Sequence, residues 1–163
     1  MKKLFSFTMI TLALIFGTVA CSKNVQNRSE DQTNISNIKR KSEYPISIRV
    51  NGQIIKAHLN NSAAARQFRN ELPVTLSFRT FMSDYPEKIA DLHHGLSTKG
   101  MPKGHAGTKG SIGYWSPDQR IVFYYGTESY YEGIHIIGKF DSMKSLKTIR
   151  NMKENTRVRI TRN

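Results

Sequence analysis

The chain has one cysteine in 163 residues, Cys21, so no disulfide can form within it. Acid is scarce as well: 12 Asp and Glu stand against 25 Lys and Arg, for a net charge of +13. Only one long apolar run is present, and it lies at the very start. There is no His-Glu-x-x-His, no Walker spacing and no Gly-x-Ser-x-Gly, since Gly110-Ser111-Ile112-Gly113 has the wrong spacing. These gaps remove the common zinc-protease, nucleotide-binding and serine-hydrolase readings. No acid–base pair stands out either, because Glu128 and Glu132 sit in a loop with no evident partner.

The apolar run has the form of an export signal. Lys2 and Lys3 precede it, Leu4–Phe16 is the hydrophobic stretch, and Gly17-Thr18-Val19-Ala20 is a small-residue cleavage site. Leu4–Ala20 is at the short limit for a membrane-spanning helix, so residues 1–20 are expected to be a cleavable signal peptide. Thr-Val-Ala-Cys resembles the lipobox of bacterial lipoproteins, with Thr18 where that pattern prefers Leu. The resemblance implies acylation, palmitate included, at Cys21 and a lipid anchor in a bacterial cell envelope. Two or more acyl chains would hold durably, whereas one alone binds marginally. Loss of Lys2 and Lys3 leaves 23 basic side chains against 12 acidic, a net charge of +11. In an exported chain this favours anionic head groups and envelope polymers over nucleic acid.

After the cysteine, Ser22–Ser42 is polar and carries only Val25, Ile35 and Ile38 as sizeable apolar groups. Residues 21–43 are therefore expected to be the lipidated cysteine and a disordered tether. Residues 44–163 suffice for one domain with a single core, and a monomer is expected. Ile46, Ile48 and Val50 alternate with Ser47 and Arg49, then Asn51-Gly52 gives a tight hairpin turn into Gln53–Leu59. Asn61 or Ser62 can cap a helix carrying Ala65, Phe68 and Leu72, which Pro73 stops. Val74–Phe81 alternates again, and Asp84-Tyr85-Pro86 predicts a short helical turn ending near Leu92. His93–Gly110 follows as a long loop with five glycines, three lysines and three histidines. Ser111–Ser116, Ile121–Tyr125 and Gly133–Phe140 read as strands, with Gly126–Glu132 as a connection. Asp141 or Ser142 can cap a short helix with Met143, Leu146 and Ile149, before a last strand over Arg157–Arg162.

Several segments together resemble the small bacterial cyclophilin-like family. They are Asn61-Ser62-Ala63-Ala64-Ala65-Arg66-Gln67-Phe68, Leu72-Pro73-Val74-Thr75-Leu76, Tyr85-Pro86-Glu87-Lys88-Ile89-Ala90-Asp91-Leu92, Ile112-Gly113-Tyr114-Trp115-Ser116-Pro117, Ile121-Val122-Phe123-Tyr124-Tyr125-Gly126 and Ile137-Gly138-Lys139-Phe140. Gly110-Ser111 stands where the family usually has Gly-Asp. The resemblance spans about residues 46–160. It implies a mainly β fold, a closed cyclophilin-like β-barrel of about eight strands with two or three short helices. It implies no particular activity.

Prolyl isomerisation is the activity such a barrel brings to mind. Cyclophilins carry Phe-x-Arg-Val-Ile followed by Phe-Met-x-Gln-Gly-Gly-Asp. Here Arg79 follows Phe78 directly, and Phe81-Met82-Ser83-Asp84 lacks the glutamine and both glycines. His93, His94 and His105 share a loop, but no carboxylate or thiol stands at ligand spacing, so neither metal nor cofactor is implied. Aromatic residues are dense over Tyr114, Trp115, Phe123, Tyr124, Tyr125, Tyr130 and Tyr131, and alternation sends half of them outward. Rings with polar tips suit a ligand surface. The expected cleft therefore lies between the His93–Gly110 loop and the Tyr114–Tyr125 strands, with Arg79, His105, Tyr114, Trp115, Tyr124 and Tyr125 as candidate lining. A non-catalytic module binding a small molecule or an envelope peptide is the preferred reading. A prolyl isomerase and a basic adaptor for anionic polymers are the alternatives.

Overall fold

A computed structural model describes residues 43–163. The expected signal peptide, Cys21 and nearly all of the expected tether lie outside the described residues. Eight strands form a closed antiparallel barrel: β1 (Tyr44–Val50), β2 (Gln53–Leu59), β3 (Val74–Thr80), β4 (Glu87–Asp91), β6 (Ser111–Trp115), β7 (Arg120–Tyr124), β9 (Ile134–Phe140) and β10 (Thr156–Arg162). Around the barrel they run β1-β10-β3-β4-β7-β6-β9-β2. Two further strands, β5 (Gly104–Ala106) and β8 (Tyr130–Glu132), pair only with each other. Two helices complete the domain, α1 (Ala63–Glu71) and α2 (Ser145–Arg150). The expected mainly β, closed eight-stranded barrel is therefore what the chain forms.

The first hairpin follows its turn chemistry. Asn51 and Gly52 take φ of 47° and 80°, and Val50 stands opposite Gln53. That register sends Ile46, Ile48 and Val50 inward with Ile55, Ala57 and Leu59, all buried. Each of the larger of these side chains contributes about 1.5–3 kcal/mol by leaving water. At the centre, Phe123 stacks on Phe78 at 4.3 Å between ring centroids and meets Phe140 edge-on at 5.2 Å. Ser62 caps α1 by accepting the Ala65 amide at 3.3 Å, and Ala64, Ala65 and Phe68 enter the core. Pro73 ends the helix as expected, with Leu72 already extended.

Three local expectations are corrected. Asp84-Tyr85-Pro86 starts no helix: the Tyr85 amide donates to the Met82 carbonyl at 3.2 Å in a single turn, and the chain then extends into β4. β4 has no readable alternation because Glu87, Lys88, Ile89 and Ala90 are all buried. The His93–Gly110 loop and the Gly126–Glu132 connection are not wholly irregular, since β5 and β8 zip them together. Three-residue strands are too short to carry a period. Neither Asp141 nor Ser142 caps α2, which begins after Lys144 with no side-chain cap.

Candidate functional site

Alternation gives four neighbouring barrel strands two apolar faces. In β7, Ile121 and Phe123 enter the barrel core, while Val122 and Tyr124 point outward and are equally buried. Ile89 of β4 and Ile134 of β9 join them, with Phe81, Trp115 and Ile136 packed alongside. A barrel's outer face is ordinarily solvated and polar. Here it is covered, and the cover leaves a cleft of about 230 Å³.

Ile89, Val122, Tyr124 and Ile134 form the floor. One wall is Phe81, Met82 and Tyr85 from the β3–β4 connection, with Phe81 edge-on to Tyr85 at 5.2 Å. The opposite wall is Trp115 and Asp118 of the β6–β7 hairpin, and Tyr131 of β8 closes the rim with Glu128. Tyr131 and Met82 are about half exposed, as rim residues of an open cleft are. Tyr124 is held in place by glycines. The Tyr124 ring lies against Gly107 on one side and Gly113 on the other, where a Cβ on Gly113 would stand 2.7 Å from it.

The charges divide into two sets. Arg120 donates to Asp91 at 2.9 Å and to Asp118 at 2.7 Å, and Arg79 lies 2.9 Å from the other Asp91 oxygen. The Trp115 indole N–H donates to the same Asp118 carboxylate at 3.1 Å. Desolvation works to raise the Asp91 carboxyl, but hydrogen bonds from both arginines hold it below its usual range. Two cations thus balance two carboxylates along this edge.

Glu87 and Glu128 are left over. Glu87 opens β4 opposite Tyr124 and is only 9% exposed, yet among the described residues its carboxylate has no hydrogen-bond or ion-pair partner. Burial first, then the nearby Glu128 charge, push its pKa up to about 7 against the pull of Arg120. Desolvation raises Glu128 as well. Burial, Glu87 and Glu128 together raise the Tyr124 phenol, which stays neutral. Lys88 does not compensate them, because its side chain turns to the other face of β4 and donates to Met152 O at 2.7 Å and Thr80 Oγ1 at 2.8 Å.

Of the candidate residues, Trp115 and Tyr124 line the cleft. Arg79 stands one ion pair behind it, on Asp91. Tyr125 supports a wall, its hydroxyl donating to the Tyr85 carbonyl at 3.2 Å. Tyr114 is 1% exposed inside the barrel, where its hydroxyl accepts the Leu96 amide at 2.9 Å. His105 is exposed on β5, with Nδ1 2.8 Å from the Ala106 carbonyl oxygen and Tyr131 as its cross-strand partner. Among the described residues no three metal-ligating side chains converge. Besides the aliphatic residues of the floor, sequence reasoning missed Phe81, Met82, Tyr85, Asp118, Arg120, Glu128 and Tyr131, and above all Glu87. Its one local signal is a charged pair, Glu87-Lys88, set directly before Ile89-Ala90.

A second depression of about 380 Å³ lies beside Ser116, Glu132 and His135. His135 Nε2 is 3.2 Å from Ser116 Oγ, and burial holds the imidazole below its usual pKa against a hydrogen bond to the Pro102 backbone. Ser116 Oγ donates to the Gly133 carbonyl at 3.3 Å rather than to the imidazole, and among the described residues no carboxylate pairs with His135 as the third member of a hydrolytic triad would.

The family profile described as the Cyclophilin-like family matches residues 48–161. The chain belongs to that family. Among solved structures, the cyclophilin-like barrel is similar to the solution structure of a hypothetical protein from Archaeoglobus fulgidus, with a TM-score of 0.54 and 15% identity. The similarity covers 75% of this chain and 96% of the other, and at that identity it speaks for the fold alone. No curated protein matches the chain.

Proposed function

We propose that this cyclophilin-like domain is a binding module, carried to the cell envelope by its signal peptide and held at a membrane by lipid on Cys21. Its ligand is a small molecule with an apolar body, seated in the outer-face cleft. The observation that carries the reading is the second apolar cluster, Ile89, Val122, Tyr124 and Ile134, facing outward from a barrel that already has a complete core. Burying apolar side chains on an outer face serves a ligand site or a covering element, and the cover here stops short of filling the space. A dry cavity of about 150 Å³ suffices for benzene, so 230 Å³ suits a molecule of one ring with a short chain.

The isomerase alternative needs an arginine free to meet a peptide carbonyl. Arg79 is instead spent on Asp91. The basic-adaptor alternative draws on the net charge, yet the cleft itself carries the acids left over. Trp115 is the only tryptophan and stands in the cleft wall, so its emission reports occupancy directly. A screen of small aromatic and aliphatic compounds should change Trp115 emission saturably. Tyr131→Ala at the exposed rim should weaken the same compounds several-fold while leaving the circular dichroism unchanged. Equal affinity in Tyr131→Ala, or no saturable change with any compound, would contradict the reading.

A further inference from the structure

We propose that the cleft selects a cation: a protonated primary amine carried on a small apolar body, its ammonium between Glu87 and Glu128 and its body against the aromatic walls. This rests on the reading of the cleft as a ligand site.

The charge balance points this way first. Arg79, Asp91, Arg120 and Asp118 pair among themselves. Glu87 and Glu128 then remain as a pair of carboxylates with no cation assigned to either among the described residues, in a protein whose net charge is strongly positive. A carboxyl as deeply buried as Glu87 either keeps its proton or takes a cationic partner, because an unpaired buried charge is costly. Glu87 lines the cavity, so a partner seated in the cleft can reach it. An ammonium supplies three donors and cancels the repulsion between the two acids.

The walls point to the same chemistry. Phe81, Tyr85, Trp115, Tyr124 and Tyr131 surround the space, and aromatic rings both attract cations to their faces and bury an apolar body. An anion would meet the two carboxylates with nothing to offset them, since both nearby guanidiniums are already held. A neutral ligand could give Glu87 only an ordinary hydrogen bond and would leave the repulsion between the two carboxylates in place.

The test is a titration of Trp115 emission in the purified protein with phenethylamine, phenethyl alcohol and phenylacetate, which share a ring and differ in charge. At pH 8 the amine should bind about tenfold or more tighter than the alcohol, in line with a charge-assisted hydrogen bond, and phenylacetate should bind weakest. The amine should weaken on going to pH 5.5 as Glu87 takes up a proton in the field of Glu128, Asp118, Arg120, Tyr124, Tyr85 and Tyr131. In Glu87→Gln the ratio of amine to alcohol affinity should fall to about one at both pH values, and in Glu128→Gln it should fall part of the way. Equal binding of amine and alcohol by the wild-type protein would overturn the cation inference and leave the apolar cleft standing. Phenylacetate as the tightest of the three, or an unchanged ratio in Glu87→Gln, would overturn it too. Failure of all three compounds at millimolar concentration would sink the cleft reading along with it.

Discussion

Gly113 on β6 and Tyr124 on β7 share one place on the barrel's outer face: a Cβ on Gly113 would stand 2.7 Å from Tyr124 Cε2. The phenol ring lies where the missing side chain would be. Beside it, the register between β6 and β9 shifts between Ile112 and Gly113. The glycine is thus tied to the shape of the cleft floor.

Gly113→Ala should therefore push Tyr124 toward the cavity. Overpacking of this kind costs about 1–3 kcal/mol, more than the 0.4–1 kcal/mol that a Gly→Ala change can return through the unfolded chain. Urea unfolding should show a net loss of stability, and Trp115 titrations should show weaker ligand binding. A variant as stable as the wild type with unchanged binding would mean that Tyr124 moves freely.

Glu87 should make stability fall as pH rises. Its folded pKa of about 7 lies above the ordinary 4.5. Below about pH 4.5 the carboxyl is protonated in both states, and the group contributes no penalty. Between 4.5 and 7 the unfolded chain ionises while the folded one keeps its proton, so the balance shifts toward unfolding until the folded carboxyl ionises as well. The loss is on the order of 1–2 kcal/mol after allowance for solvent screening. Urea midpoints at pH 5 and pH 8 should differ more in the wild type than in Glu87→Gln. Identical pH dependence in the two proteins would show that Glu87 ionises normally.

Much of the barrel is legible in the amino-acid sequence. Ile46, Ile48 and Val50, Leu76 and Phe78, and Val158 and Ile160 all follow a two-residue period because one face of each strand is wet. β4 escapes that logic. Glu87 and Ile89 are buried on the outside of the barrel, Lys88 and Ala90 on the inside, so polarity and burial no longer track each other. β5 and β8 escape it because each exists only through the other. Alternation puts Tyr114 and Trp115 on opposite faces without saying which faces in, and only closure of the sheet sends Tyr114 to the core. Glu87 becomes a site residue only when β4 pairs with β7 and sets it opposite Tyr124, a relation between segments far apart in the chain.

Prolyl isomerisation should not be accelerated. Each tenfold acceleration requires about 1.36 kcal/mol of preferential transition-state stabilisation. The candidate arginine, Arg79, has its guanidinium on Asp91 at 2.9 Å and does not line the cleft. A protease-coupled assay on a proline peptide at micromolar protein should give the buffer rate. A clear acceleration that disappears in Arg79→Ala would establish the isomerase instead.

Cys21→Ala should abolish acyl labelling and release the protein into the soluble exported fraction, because this sulfur is the chain's only thiol. A variant that stays on the membrane through alkaline washing would show that something other than lipid holds it.

The most direct measurement is a nitrogen–proton correlation spectrum of the labelled protein during titration with phenethylamine. The shifts should gather at the Trp115 indole N–H, which donates to Asp118 at 3.1 Å, and at the amides of Glu87, Ile89, Val122, Tyr131 and Ile134 around the cleft. The strands on the far side of the barrel, β1 and β10, should stay silent. Shifts gathered at Ser116 and His135, or along β1 and β10, with the Trp115 indole unmoved, would contradict an outer-face site for an amine.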